Sequence, residues 1–343
     1  MNADFTIVGM GPAGIAAALK LSQAGFRVRI VEALPKPAVK PCGWGIPQPD
    51  KLPFKIPEEA ILSHVDGATL YVNGEHVLDY TGNNLGLIVD KPRMLLMLAE
   101  EYGIDVSFKD YFNPRCSGGE CSNVILAPGV SFYKGEKINA VQLHLETDNA
   151  WSNFFEFHFD PYIIGYYWVF PTGRHKVKVG VGGFKPVKEL TKHLELFIRR
   201  DERLRSGKRV SRLEGAQLAV DGVKLPHMPP YVIGEAAGFV YPLTGEGIRP
   251  SIISGWSLGE ALSEGSDPVK ALGNSDVSWK IKLQHKILEA VKSLTPERRA
   301  GFLSNLNPEV IIKIGLGDFT KYSLLRLALK SPRGLASILR SFI

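Results

Sequence analysis

The chain has 343 residues, 45% hydrophobic and 22% charged, with a formal net charge of +6, a pI near 9.0 and a mean hydropathy of -0.01. That composition supports a large buried core, excludes a disordered chain, and suits a large nucleotide-binding domain with a second domain inserted. Three cysteines exclude a secreted disulfide scaffold, and no run reaches the ~18 consecutive apolar residues of a spanning helix.

From the N-terminus, Phe5 to Val8 reads as a strand without a cleavable signal before it, and the expected location is the cytoplasm, at most against the cytoplasmic membrane face. Gly9-Met10-Gly11-Pro12-Ala13-Gly14 then forms a tight turn, Ile15 to Ala24 a helix of apolar spacing, and Arg27 to Val31 a second strand. This is one βαβ unit, and its turn fits G-x-G-x-x-G. The glycines let backbone amides approach a pyrophosphate, whose charge a helix N-terminus favours. Glu32, followed by Ala33, stands about 20 residues on, where a carboxylate accepts from ribose hydroxyls. Together these predict a dinucleotide. The loop does not choose between FAD and NAD, although Glu32 disfavours a 2′-phosphate.

Pro41-Cys42-Gly43-Trp44-Gly45 is a loop pinned by proline and glycine. Asp66 to Tyr80 alternates around Asn73-Gly74, a hairpin signal. Arg93 to Tyr102 reads as an amphipathic helix, with Lys91 and Arg93 as basic candidates at its start, and Asn123 to Ala127 as a strand leading into Pro128-Gly129. Cys116 and Cys121 bracket the turn-like Ser117-Gly118-Gly119-Glu120. A disulfide across it is one reading, and two reduced thiols are the preferred one.

Val141 to Gly183, dense in aromatic and β-branched residues, predicts an antiparallel sheet. On its strand Tyr166, Trp168 and Phe170 face one side. Tyr231 to Gly234 reads as a last buried strand running into a glycine-rich turn and a helix from near Gly247, and 276–343 reads as helical. The last stretch carries Lys321, Arg326, Lys330, Arg333 and Arg340 among leucines, without an acidic residue. That pattern suits peripheral membrane contact through 319–343, or a surface helix packed on its own domain.

Gly234-Glu235-Ala236-Ala237-Gly238, Pro242 and Gly245-Glu246-Gly247-Ile248 resemble the second FAD signature of the glutathione-reductase-type flavoproteins, particularly the branch holding aromatic hydroxylases and geranylgeranyl reductases. Glu235 departs from the usual aspartate. The Pro41 to Gly45 loop resembles the P-x-C-G loop of geranylgeranyl reductases, and Tyr166-Tyr167-Trp168-Val169-Phe170-Pro171 matches their Y-x-W-x-F-P motif. The resemblance spans residues 4–255 and points to an archaeal member, with the segment from Ile104 to Gly129 short for the family.

The resemblance implies an α/β fold: a Rossmann-type FAD-binding domain in two parts (1–135 and 222–275, with 51–85 lending strands to the inserted domain), an antiparallel-sheet substrate domain (136–221) and C-terminal helices (276–343). It implies FAD held by Gly9, Gly11, Pro12, Ala13, Gly14, Glu32, Ala33, Cys42, Gly43, Lys91 or Arg93, Ala127, Gly129, Gly234, Glu235, Pro242, Gly245, Glu246, Gly247 and Ile248. Cys42 is expected near the flavin ring. Tyr166 and Trp168 are expected at the reacting bond, and Tyr166, Trp168, Phe170, Pro171 and Trp44 along a cavity for an isoprenoid chain. The implied reaction saturates C=C bonds of a geranylgeranyl chain on an archaeal-type glycerolipid or of a prenylquinone.

Neither a second nucleotide loop nor an iron–sulfur cysteine spacing is present, so the electron donor is expected to be external, a ferredoxin or a reduced nicotinamide. No metal and no nucleic-acid partner is expected. An aromatic monooxygenase and a non-catalytic FAD-containing lipid or quinone carrier are the rival readings.

Overall fold

The computed structural model describes residues 3–112, 121–305 and 307–322. In chain order the elements are β1 (Phe5–Val8), α1 (Pro12–Gln23), β2 (Val28–Glu32), β3 (Gly45–Pro47), β4 (Ile61–Val72), β5 (Glu75–Val89), α2 (Lys91–Glu101), β6 (Asp105–Phe108) and β7 (Val124–Leu126). There follow β8 (Lys137–Glu146), β9 (Phe154–Asp160), β10 (Gly165–Gly173), β11 (Lys176–Gly183), α3 (Val187–Arg200), α4 (Glu202–Arg205), β12 (Lys208–Arg209), β13 (Glu214–Ala219) and β14 (Tyr231–Val232). The chain continues through α5 (Ile248–Ser263), α6 (Pro268–Gly273), α7 (Asp276–Ser293), α8 (Pro296–Asn305) and α9 (Pro308–Gly315). The basic segment predicted at the C-terminus lies outside the described residues beyond Tyr322. Among the described residues no helix is long and apolar enough to cross a membrane.

Two compact units result: Met1–Leu62, Val89–Lys137 and Leu218–Lys282 form the first, and Ser63–Ile88, Ile138–Gln217 and Leu283–Ile343 the second. The first is built on a five-stranded sheet in the order β14-β7-β1-β2-β6, whose neighbours all pair in parallel. Apolar strands such as β7, buried along its length, are what a parallel sheet covered on both faces requires. Helix α1 buries Ile15, Ala16, Ala17, Ala18 and Leu19. Its small residues admit α5 at close range: a Cβ on Gly255 would collide with the Ala13 carbonyl, and one on Gly259 would meet Lys20 Cβ at 3.0 Å.

In the second unit the strands run β12-β8-β11-β10-β9-β4-β5. The sheet is mixed where an antiparallel one is expected: β8 to β11 are antiparallel neighbours, but β4 joins β9 in parallel, Gly67 opposite Phe154 and Val72 opposite Phe159. One face is aliphatic. Val141, Leu143, Leu145, Val169, Val177, Val179 and Val181 bury against Leu190, Leu194 and Ile198 of α3, a helix that the sequence reading left unassigned.

At the edge of that face Arg203 donates to both Glu156 oxygens, at 2.8 and 2.9 Å, and to Asp201 at 2.6 Å. Burial pushes both carboxyls up, but the hydrogen bonds of His158 and Arg203 to Glu156, and of Arg203 to Asp201, outweigh it and hold both below the ordinary range. Carboxyls depressed in the folded state contribute stability that is present above the unfolded values, about 4, and lost as pH falls through the folded ones. Glu156→Gln is therefore expected to be less stable than the parent at pH 7 and to show a flatter loss of stability on acidification. Acid unfolding followed by tryptophan fluorescence checks this; superimposable acid limbs would refute it.

Cys121 is disulfide-bonded, which corrects the preference for two reduced thiols; Cys116 lies outside the described residues. Cys42 is a reduced, half-buried thiol.

Candidate functional site

The first glycine loop joins β1 to α1 as its spacing predicts. Gly9 has φ +104°, a conformation that favours glycine. A Cβ there would collide with the Ala127 carbonyl, so the Ala127-Pro128-Gly129 turn and the loop touch backbone to backbone. Ala127 N donates to Val8 O at 2.8 Å, and Gly129, at φ +77°, turns the chain away. Gly11 caps α1, Pro12 opens its first turn, and no side chain among the described residues caps the helix. Its leading amides and dipole are therefore available to an anion. A Cβ on Gly11, unlike those on Gly9 and Gly14, would meet nothing within 4 Å.

Glu32 is buried, and its two oxygens accept from Met10 N at 2.8 Å and Leu34 N at 2.9 Å. It ties the glycine loop to the end of β2, with lone pairs left for ribose hydroxyls. Lys91 and Arg93 separate cleanly: Arg93 is exposed on α2, its N–H donating to the Asp90 cap, whereas Lys91 is 5% exposed and donates through Nζ to Lys40 O at 3.3 Å. A buried lysine whose side chain has one carbonyl partner among the described residues fits an anionic ligand group. Uncapped helix termini, backbone-to-backbone glycine contacts and Lys91 are together what an anionic dinucleotide such as FAD requires.

The second glycine segment runs from β14 into α5. Gly234 has φ +66°, and a Cβ on it would meet Ala13 Cβ at 2.7 Å, so the two glycine loops adjoin. Gly245, at φ +65°, and Gly247, the N-cap, lead into α5, whose N-terminus also lacks a side-chain cap among the described residues. Glu246 pairs with Arg249: both its oxygens accept from the guanidinium, at 3.1 and 2.8 Å, and the pair is buried, with side chains 8% and 3% exposed. Arg249 also donates to Gln48 Oε1 at 2.6 Å and lies over the Tyr241 ring. Sequence reading missed Arg249, although its spacing of three from Glu246 at a helix start was a usable signal.

Glu235 accepts from Lys40 Nζ at 2.5 Å and from Ala219 N at 3.2 Å. The Cys42 loop is thus anchored at both ends to the second glycine segment, Lys40 to Glu235 and Gln48 to Arg249. Between the anchors Trp44 N–H donates to Cys42 Sγ at 3.5 Å, and Trp44 and Gln48 take φ +67° and +49°. Nothing in the sequence pairs Lys40 with a residue 195 positions away.

In the second unit Tyr166, Trp168 and Phe170 do share one face, opposite the aliphatic one. Register sets Tyr166 beside Phe159 and Trp168 beside Phe157, and ring centroids 4.7 to 6.4 Å apart join Phe155, Phe157, Phe159, Tyr166, Trp168 and Phe170 into one aromatic stripe. On the neighbouring strand Gly180 and Gly182 lie opposite Trp168 and Tyr166, and a Cβ on Gly180 would run into the indole. The ring therefore lies flat over bare backbone. Trp168 Nε1 is buried without a hydrogen-bond partner among the described residues. Phe155 is fully buried, whereas Phe157, Phe159, Tyr166 and Phe170 are only half-buried.

Comparison with known proteins supports FAD as the cofactor. Residues 2–49 match the family model described as an FAD binding domain. The chain is 26% identical to digeranylgeranylglycerophospholipid reductase of Thermoplasma acidophilum over 76% of this chain and 78% of that one. It is 24% identical to the protein of the same name from Methanococcus vannielii, over 99% and 97%. The crystal structure of a geranylgeranyl bacteriochlorophyll reductase-like protein from T. acidophilum superposes with a TM-score of 0.79 at 21% identity, covering 99% of both chains, and establishes the likeness of fold.

Proposed function

We propose that this chain is an FAD-dependent oxidoreductase that saturates C=C bonds of a geranylgeranyl chain carried by an archaeal-type glycerolipid or a prenylquinone. The observation that carries the reading is the continuous aromatic stripe through Phe157, Tyr166, Trp168 and Phe170 in a chain whose sequence relatives are named as reductases of digeranylgeranyl lipids.

FAD, when bound and reduced, supplies hydride to one carbon of the alkene. The chain's own residues do the rest. Gly9, Gly11 and Gly14 give the pyrophosphate access to the amides of α1, Glu32 accepts from a ribose, and Lys91 balances anionic charge. The amides at the start of α5 would polarise a bound flavin, and Cys42 would shape the site beside it.

An isolated alkene is a weak electrophile, so a proton must reach the second carbon as hydride reaches the first. The faces of Tyr166 and Trp168 stabilise the positive charge that builds up between the two events, and the ring wall, continued by Pro171, keeps water from it. An external carrier, a ferredoxin or a reduced nicotinamide, returns two electrons for each bond reduced. Peripheral contact through 319–343 gives access to a membrane-resident substrate.

Anaerobic incubation of the dithionite-reduced protein with geranylgeranyl glycerolipids and prenylquinones, followed by product mass, is expected to yield gains in steps of two hydrogens. Consumption of NADPH and oxygen with an aromatic compound, and no mass gain with either prenyl class, would replace this reading by the monooxygenase.

A further inference from the structure

Loop 40–48 carries the thiol, and its proline and glycines leave the placing of that thiol partly to contacts with distant residues. It has two non-glycine residues, Trp44 and Gln48, in the left-handed region, a conformation that persists only where surroundings enforce it. Backbone bonds take part, Val89 N donating to Trp44 O at 3.1 Å, and charged side chains hold both ends. At one end Lys40 Nζ meets Glu235 at 2.5 Å, with side chains 31% and 14% exposed, while the Lys40 carbonyl takes Lys91 Nζ. At the other end Gln48 accepts from buried Arg249. Glutamate at 235 bonds Lys40 through Oε2 and the Ala219 amide through Oε1; aspartate, one methylene shorter, could not hold both without a shift of backbone.

We propose that the Lys40–Glu235 ion pair is a positioning device for Cys42, and that the length of the glutamate side chain at 235, which reaches Lys40 and the Ala219 amide at once, is what makes the device work. Lys40 and Glu235 act through the loop, not on the reacting bond. The value of a placed thiol rests on the function proposed above, whereas the pair's effect on the thiol can be measured without turnover.

The test is the rate at which iodoacetamide alkylates Cys42, located by peptide mass, in the FAD-loaded protein and in Lys40→Met, Lys40→Arg and Glu235→Asp. Loss of a charge-assisted hydrogen bond frees the loop to open, and alkylation is expected to accelerate about tenfold or more in Lys40→Met and Glu235→Asp. Lys40→Arg, which keeps the charge, is expected to stay near the parent rate at the same thermal midpoint and flavin content. Parent-like alkylation of folded Lys40→Met would overturn the proposal. So would equal acceleration in Lys40→Arg, because the effect would then follow any disturbance at position 40. If Lys40→Met does not fold, Glu235→Asp alone decides between the same two results. Accelerated alkylation in a protein that reduces no prenyl chain would leave this inference standing and remove the proposed reaction.

Discussion

Arg249→Met is expected to destabilise the first unit by about 3–5 kcal/mol, the usual cost of leaving one member of a buried ion pair behind. Glu246 and Arg249 are 8% and 3% exposed, and the guanidinium holds both carboxylate oxygens as well as Gln48. Burial already pushes the Glu246 carboxyl above its ordinary range against the pull of Arg249, and removing the cation leaves burial unopposed. A carboxyl raised in the folded state binds more protons there than in the unfolded chain, so the variant's stability falls as pH rises through that range. Its deficit should be larger at pH 7 than at pH 5. Adding Glu246→Gln should recover part of it, since an amide is cheaper to bury than a carboxylate. Urea denaturation at the two pH values measures this, and a deficit within about 1 kcal/mol at pH 7 would place the pair in contact with solvent, where ion pairs contribute little.

Gly9→Ala and Gly11→Ala should fail in different ways. At Gly9 the backbone is at φ +104°, and the added methyl would run into the Ala127 carbonyl, so strain of about 1–3 kcal/mol is joined by displacement of the loop from the turn beside it. Unfolding at lower urea and loss of bound flavin should appear together. Gly11 has φ -87°, and its methyl would meet no protein atom within 4 Å. The fold should then survive with its denaturation midpoint nearly unchanged, while FAD per chain, read by visible absorbance, drops, because on the proposed reading the pyrophosphate approaches through the open space at Gly11. Full flavin content in Gly11→Ala would mean that the cofactor does not use this loop.

Much of the first unit was legible because its chemistry is local. A strand, three glycines at fixed offsets, a helix and an acidic residue after the next strand are set by a short stretch of chain, and they stand where spacing predicts, with ends shifted by a few residues. Gly234 to Ile248 was legible for the same reason, its turn being built on positive φ at Gly234 and Gly245. The face shared by Tyr166, Trp168 and Phe170 followed from the strand period of two. Where the reading went astray, a distant partner was the cause. The parallel pairing of β4 with β9 joins segments that no local pattern relates, and the disulfide at Cys121 depends on a geometry that spacing leaves open.

The sequence by itself determined the class of ligand loop, the periodicities and the aromatic strand, because these express backbone sterics and side-chain alternation within a few residues. Only the tertiary structure decided which charges meet. Lys40 finds Glu235 across 195 positions, Gln48 finds Arg249 across 201, and Lys91 is buried while Arg93 is exposed. Coulomb and hydrogen-bond energies depend on distance and on exclusion of water, and neither quantity exists for a pair of residues until the chain has brought them together.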